Sequence, residues 1–572
     1  MESLTFLLII LIFFLMVSYI LCDRDMMAPD VLYIAGFVLA VIAASMNVSA
    51  WGIDLSVRTI MIILIGALSF VSVGMLYRLS HKRYAFQGCA EIEHIQVARW
   101  KNVLVIAFDI LTMILYYKEA VRLSAYADSY WKSFGVMVAY KRVISYGDMS
   151  LNPIVNQMTK MVYSFGYVYM FIFMNNVFAS KENHRIRRNV EYLIPAFLFV
   201  VMSIIKGNRV DIMQLVVMAV FLYYTFLHRK VGWKKHISGK MLKKAIMVFA
   251  IGMVLFYYMK ELVGRVSSLN FLEYITQYIG GSIQLLDQYV RESSHVIDVP
   301  FGETLTGLIT GLRKLGLTTA SLRKQLEFRY TPTGIYLGNV YTALRRYYND
   351  AGWIGVVAFP AILSLIINAF YRKVRLYKDN TIKHVYNTII YASLLYVVPF
   401  QAMEDSFYIN KVTIGYVMEL AILYVCVVCF QKNKIAFLIL VLCNQIGSIA
   451  LDENRYENPA FLLVVSICGW VLLYEVAQEL KKKKLLADAI VCCGQNSMAI
   501  VVLHFLCFKI ISLVGVVVYN QPRERIAAFP VLYEHGAWWI TYMFAGIIVP
   551  VLLSVMWKKL KGKQEKRYSV VK

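Results

Sequence analysis

The chain has 572 residues, 59% of them hydrophobic and 16% charged, and its mean hydropathy of +0.60 excludes a soluble globular protein of this length. Its 59 Lys and Arg against 35 Asp and Glu give a net charge of +24. In so apolar a chain the basic excess belongs to loops beside a membrane, so no nucleic-acid partner is expected.

About 15 apolar stretches are long enough to cross roughly 30 Å of hydrocarbon. They lie at 4–22, 31–48, 57–77, 102–117, 161–180, 190–205, 210–227, 244–260, 353–371, 385–400, 412–430, 435–451, 459–476, 498–518 and 537–557. The first is flanked by Glu2 and by Asp23, Arg24 and Asp25 without a small-residue cleavage site, which predicts a retained helix and not a removed signal peptide. Basic loops at 78–101, 181–188, 229–244 and 372–383 fall on one side when the crossings alternate, joined by 481–484 and the tail 558–567. The positive-inside rule makes that side cytoplasmic, with the N-terminus outside and the C-terminus inside. The expected fold class is therefore all-α, a polytopic integral membrane protein, with amphipathic helices in two long external segments, 118–160 and 261–352. None of the nine cysteines falls in an external loop, so no disulfide framework is expected, and Cys426 and Cys429, spaced as CxxC inside an apolar helix, read as packing.

Segment 118–160 interleaves Tyr126, Tyr130, Trp131, Phe134, Tyr140 and Tyr146 with charges, as helices lying in the headgroup region do, and is expected to form an interfacial lid or anchor. Segment 261–352 alternates amphipathic stretches with turn signals at Gly280, Gly281, Pro300, Gly302, Gly316, Pro332 and Gly334. It is expected to fold back over the membrane face, covering a site from water while leaving a lateral path for a lipid-borne substrate.

The sharpest anomaly is the run from Lys206 through Gly207, Asn208, Arg209 and Val210 to Asp211. Two cations in a very short external loop run against the positive-inside bias, and at the N-terminal end of the next helix a cation is disfavoured by about 0.3–1 kcal/mol. Either an anionic ligand compensates, or a local pair of Arg209 with Asp211 or another exterior acid does. In GNVYTALRRYYNDAGWIG, residues 338–355, Tyr341 and Arg345 are four apart, as are Arg346 and Asp350, the latter an ordinary intrahelical ion pair if the stretch is helical. Arg345 has no such local acid, which makes its planar guanidinium the better grip for phosphate. Arg265 stands just beyond the eighth stretch. Glu404 and Asp405 lie in QAMEDSFY, where adjacent carboxylates either raise one another's pKa and supply a general base or, as most exposed pairs do, neither. The histidines form no external cluster that zinc would need, and P-loop and dinucleotide fingerprints are missing, so neither a metal nor a cofactor is expected.

The block GNVYTALRRYYNDAGWIGV resembles the Asn-Val-Tyr-Thr segment and acidic-glycine helix entry of the Wzy-type oligosaccharide repeat-unit polymerases of bacterial O-antigen, capsule and exopolysaccharide assembly. The Gly207–Arg209 turn is similar to a second feature of that family, and the resemblance covers residues 1–432. It implies a glycosyltransferase of cell-envelope polysaccharide biosynthesis, multi-pass in the bacterial plasma (inner) membrane. Its reaction would join two undecaprenyl-diphosphate-linked glycans at the outer face, with undecaprenyl diphosphate leaving. A lipid-linked oligosaccharide and the bilayer are the implied partners, with a flippase and a chain-length regulator beside them. For such chemistry Arg209, Arg345, Glu404 and Asp405 are the catalytic candidates. Lys206, Arg265, Asn339, Tyr341, Arg346 and Asp350 are the substrate-binding ones, the arginines forming an electrostatic clamp in place of a metal.

Residues 433–572 resemble something else. CGQNSMAIVVLHFLCFKII and FPVLYEHGAWWITYMFAGIIVP look like the closing helices of the membrane acyltransferase-3 family, which O-acetylates sugars. That family's early Arg and His motifs have no counterpart here, so the module reads as incomplete, with His504 and Lys509 structural or groove-lining. Two alternatives stay open: a sugar O-acyltransferase working through these helices, and a lipid-linked glycan flippase, although no internal repeat of the kind transporters carry is detectable.

Overall fold

The computed structural model describes residues 2–233 except 82–83, 87, 147–148 and 180–184, and residues 269–432 except 293–298, 315–316, 319, 321 and 323–325. It further describes 484–570 except 528–530 and 533–537, with scattered residues between 234 and 268 and between 433 and 483. Most of the expected crossings at 435–451, 459–476 and 244–260, and Arg265, thus lie outside the described residues; at the end of the first of these, Ile449–Ala450 pairs antiparallel with Arg455–Tyr456 instead of continuing a helix. The chain divides into two compact units, Met1–Leu438 and Ile439–Lys572.

Helices dominate, and among the described residues seven are long and apolar enough to cross a membrane: Glu2–Leu21, Val57–Leu79, Pro153–Ala179, Arg209–Val231, Ala343–Arg375, Ser497–Val518 and Ile540–Lys558 within a longer final helix. Other expected crossings are shorter. The stretch at 190–205 becomes a 3-10 turn, Val190–Leu193, followed by the 13-residue helix Ile194–Lys206. At 1.5 Å per residue that helix spans about 20 Å. The stretch at 385–400 breaks into Ile382–Leu394 and Val397–Phe400. Pro195 begins one of these helices, and Pro399 sits in the short second piece of the other, where its missing N–H removes a helical hydrogen bond. Against the all-α expectation the first unit also holds a two-stranded hairpin, Arg329–Tyr330 with Tyr336–Gly338, which turns at the Pro332 and Gly334 signals. Strands of two or three residues carry no readable hydrophobic period.

Three long helices of the first unit, Val57–Leu79, Arg209–Val231 and the part of Ala343–Arg375 that follows its kink at Ala351 and Gly352, run in one direction. Their C-terminal ends meet around buried Asp25, which accepts hydrogen bonds from Tyr224 and Tyr371 and pairs with Arg375 at 3.2 Å. The strand of chain after Val57–Leu79 joins the same end, since Phe86 N donates to Arg375 O and Ala90 N to Arg229 O. The Lys230 ammonium donates to Phe178 O near the end of Pro153–Ala179. The ends of these four helices, where the basic segments begin, are therefore gathered at one end of the unit.

At the opposite end helix Phe271–Arg291 lies across the bundle. A capping box of Asn270 and Glu273 starts it, and it packs against Pro29–Ser45. Its contact face carries Gly280 because nothing larger fits: a Cβ there would lie 2.4 Å from the Ala44 backbone nitrogen. Near the other end of the helix, buried Asp287 accepts from Ser56 N at 2.7 Å and from the Thr59 hydroxyl at 2.8 Å, locking the start of Val57–Leu79. Gly280→Ala is expected to push the two helices apart and cost about 1–3 kcal/mol, the usual range for overpacking, which thermal melting of the purified protein in detergent will show as a lowered Tm.

In the second unit Ser497–Val518 packs antiparallel on Trp538–Val570. The Ser512 and Tyr542 hydroxyls are 2.8 Å apart at one level, and Ser554 and Lys558 each donate to Asn496 Oδ1 at 2.8 Å at another.

Candidate functional site

The Lys206–Asp211 turn is built by its own sequence. Gly207, at φ +70°, ends helix Ile194–Lys206 in the left-handed conformation that a side chain resists. Asn208 then caps the next helix, accepting from Val210 N. The two cations resolve differently from the local pairing considered for Arg209. It is Lys206 that pairs with Asp211, at 3.6 Å, while Asn208 Nδ2 donates to the other oxygen of that carboxylate at 2.9 Å. Arg209, 6% exposed, instead donates to the hydroxyls of Tyr274 at 2.6 Å and Tyr278 at 3.2 Å on helix Phe271–Arg291.

These residues form one wall of a cavity of about 560 Å³ in the first unit, within the size range of small-ligand sites. Lys206, Asn208 and Arg209 line it, facing Asn339, Tyr341, Arg346 and Glu404 from distant parts of the chain. Lys141 completes it from helix Val136–Tyr146, its ammonium donating to the Gly207 carbonyl at 2.6 Å. Among the described residues the lining thus carries four basic side chains and one acidic one, set among tyrosines such as Tyr116 and Tyr278 and apolar groups such as Met213, Ile279 and Phe400. A cation-rich, partly apolar enclosure of this kind strengthens charge-assisted hydrogen bonds to an anion and orders an apolar neighbour beside it.

Six of the residues singled out from the sequence therefore come together: Lys206, Arg209, Asn339, Tyr341, Arg346 and Glu404. Asn339 and Tyr341 also brace the wall, donating to Leu326 O at 3.4 Å and Glu327 O at 3.1 Å. Arg346 donates to Glu303 O at 3.0 Å.

The other candidates sit elsewhere. Arg345 has no local acid, as expected, but distant ones meet its charge: it is 2% exposed, bonded to Glu303, and paired with Glu327 at 2.8 and 3.0 Å. Its guanidinium lies over the rings of Tyr289 at 4.2 Å and Tyr341 at 4.9 Å. Tyr341 reaches it from outside the helix, which begins at Ala343, and not through the helical spacing expected. Asp350 is no intrahelical partner of Arg346, since it accepts from Thr304 N at 2.7 Å and Glu303 N at 3.4 Å and so holds the turn before Thr306–Lys314.

Glu404 and Asp405 diverge. Glu404 is exposed and faces the cavity, whereas Asp405 is buried and caps helix Ser406–Asn410 by accepting from Tyr408 N at 3.0 Å. Burial, not its neighbour's charge, is the main reason the Asp405 carboxyl is pushed up to about 7 from an ordinary 3.8. Below pH 4 the folded and unfolded chains both carry this proton. As pH rises toward 7 the unfolded carboxyl ionises while the folded one resists, so its contribution to stability is lost across that window. Asp405→Asn keeps the helix cap and is expected to flatten this decline, by up to a few kcal/mol at neutral pH. Melting temperatures of wild type and variant between pH 4.5 and 8 measure it.

In the second unit, His504 Nδ1 lies against the Val501 and Ile500 carbonyls of its own helix, at 2.8 and 3.0 Å, and Lys509 donates to Ile526 O, consistent with structural duties. Lys141 escaped sequence reasoning because it sits in an amphipathic helix among other cations. Its bond to Gly207 crosses 66 residues of chain. No protein-family profile, curated protein or solved structure matches the chain.

Proposed function

We propose that the chain polymerises lipid-linked oligosaccharide repeat units, with the cavity holding the diphosphate of an undecaprenyl-diphosphate glycan. The observation that carries this reading is the convergence of Lys141, Lys206, Arg209 and Arg346 with a single exposed carboxylate, Glu404, in one enclosure. It lies at the end of the unit opposite the gathered helix ends from which the basic segments start. On this reading those segments are cytoplasmic, as the positive-inside bias favours, and the cavity opens at the outer face of a bacterial plasma membrane.

The chemistry follows from the side chains. An acceptor hydroxyl attacks the anomeric carbon of the donor glycan and Glu404 takes its proton. The new C–O bond forms as the bond to the diphosphate oxygen breaks, and that oxygen leaves with its electron pair. Charge grows on the diphosphate in the transition state, and pre-positioned guanidinium and ammonium groups stabilise it there without reorganising. Arg209 is suited to this because its two tyrosine partners fix the fork of donors before substrate arrives. Arg345 belongs to the support: with Glu303 and Glu327 it clamps the chain leading to Asn339 and Tyr341.

Deleting the coding sequence in the native host and resolving the surface glycan by size tests the assignment. Single repeat units in place of a ladder support polymerisation. Loss of all surface glycan favours flipping, and full-length chains lacking acetyl groups favour acyl transfer.

A further inference from the structure

We infer that the hairpin Arg329–Tyr330/Tyr336–Gly338 is a saccharide-binding platform that receives the glycan as it extends from the cavity. The inference rests on the polymerase reading for its substrate, and on the following geometry for its place. Both limbs of the hairpin run into the cavity wall, where Leu326 lies on one side and Asn339 and Tyr341 on the other.

On the hairpin three aromatic rings are presented outward. Phe328 and Tyr336 are 46% exposed and Tyr330 60%. The planes of Phe328 and Tyr336 differ by 13° with centroids 6.2 Å apart, and Tyr330 meets Tyr336 edge-on at 5.3 Å.

Two strands this short have little stability of their own, and polar contacts supply the anchorage. Gln277 donates to Tyr336 O at 2.7 Å and Gln288 to Tyr330 O at 2.8 Å, both from helix Phe271–Arg291. Thr333 donates to Ala50 O at 2.6 Å, and Arg329 makes a two-pronged pair with Glu292 at 2.5 and 3.0 Å. A fixed base with exposed rings fits a ligand that covers aromatic faces.

A pyranose does so: the C–H groups on one face carry partial positive charge and sit against the negative face of a ring, while its rim of hydroxyls asks for donors and acceptors. The rim partners are at hand. Tyr330 and Tyr336, both exposed, carry hydroxyls on the rings themselves. The same helix that carries Gln277 also carries Tyr274 and Tyr278 on Arg209, so the platform and the cation wall keep a fixed separation. A diphosphate in the cavity and a sugar on the rings are thus compatible with one lipid-linked glycan. Exposed aromatics also seat proteins in lipid headgroups, and the test separates that role from this one.

The test uses the full chain in lipid nanodiscs and, as probe, oligosaccharides released from the host's own surface polysaccharide by partial hydrolysis. Saturation-transfer NMR reads binding, and the glycan ladder of the complemented host reads chain length. The double variant Phe328→Ala with Tyr336→Ala is expected to bind about tenfold more weakly, and its ladder to lose its long chains. Absence of probe binding by the wild type, or equal binding by the variant, overturns the proposal. So does a variant that inserts poorly into membranes yet binds the probe as the wild type does, because that outcome makes the rings a headgroup anchor. An unchanged ladder on deletion of the whole coding sequence would sink the polymerase reading instead, and leaves measured probe binding to judge the platform.

Discussion

Arg209→Ala is expected to abolish glycan chain extension while the protein still accumulates in the membrane. Removing one pre-positioned donor from developing negative charge ordinarily costs about 10²–10³ in rate, or roughly 3–4 kcal/mol, enough to collapse a ladder to single units. The structural cost is smaller. Arg209 donates to two tyrosine hydroxyls that remain on a helix held elsewhere by Asp287 and its capping box, and unmade bonds of this kind cost about 1–3 kcal/mol. Arg209→Lys keeps the charge but loses the planar fork, and should retain a small fraction of wild-type extension. Ladder analysis alongside immunoblotting of membranes checks both variants. A normal ladder from Arg209→Ala removes this residue from the mechanism.

The second large effect is opposite in kind. Arg345→Ala should deplete the folded protein before any question of chemistry arises. Its guanidinium is buried between Glu303 and Glu327, and taking away one member of a buried ion cluster leaves carboxylates uncompensated. Such losses run to about 3–5 kcal/mol, and the lower end applies because both acids keep some solvent access. Burial already raises the Glu303 carboxyl above its ordinary value, against the lowering effect of the Arg345 charge, so removing that charge raises it further. Adding Glu303→Gln and Glu327→Gln to Arg345→Met removes the stranded charges and should recover much of the folded protein. Fluorescence-detected size-exclusion chromatography of the single and triple variants measures this. If the single variant folds normally, the cluster is not the brace described.

What the sequence makes legible follows from the range over which each signal acts. The Lys206–Asp211 turn is readable because two cations in a short loop oppose a bias set by the loop itself, and Gly207 and Asn208 are local turn and cap residues. The partners of Arg345 are not legible because its acids lie 42 and 18 residues earlier, a distance at which no spacing rule applies. Glu404 and Asp405 look alike in sequence, yet the start of a short helix turns one toward the cavity and folds the other into the interior as its cap. Helix Phe271–Arg291 is announced by its amphipathic pattern, but its seat against Pro29–Ser45 depends on the lone fit of Gly280 to the Ala43 and Ala44 backbone. That fit is a property of two surfaces and belongs to neither segment alone.

The most direct measurement is reconstitution. The full chain, purified into lipid nanodiscs, is incubated with a single undecaprenyl-diphosphate-linked repeat unit, and products are resolved by mass spectrometry. The cationic cavity predicts lipid-linked dimers and longer chains with release of one undecaprenyl diphosphate per bond formed, both lost in Arg209→Ala. Substrate bound but returned unjoined, or joined equally well by Arg209→Ala, contradicts the account.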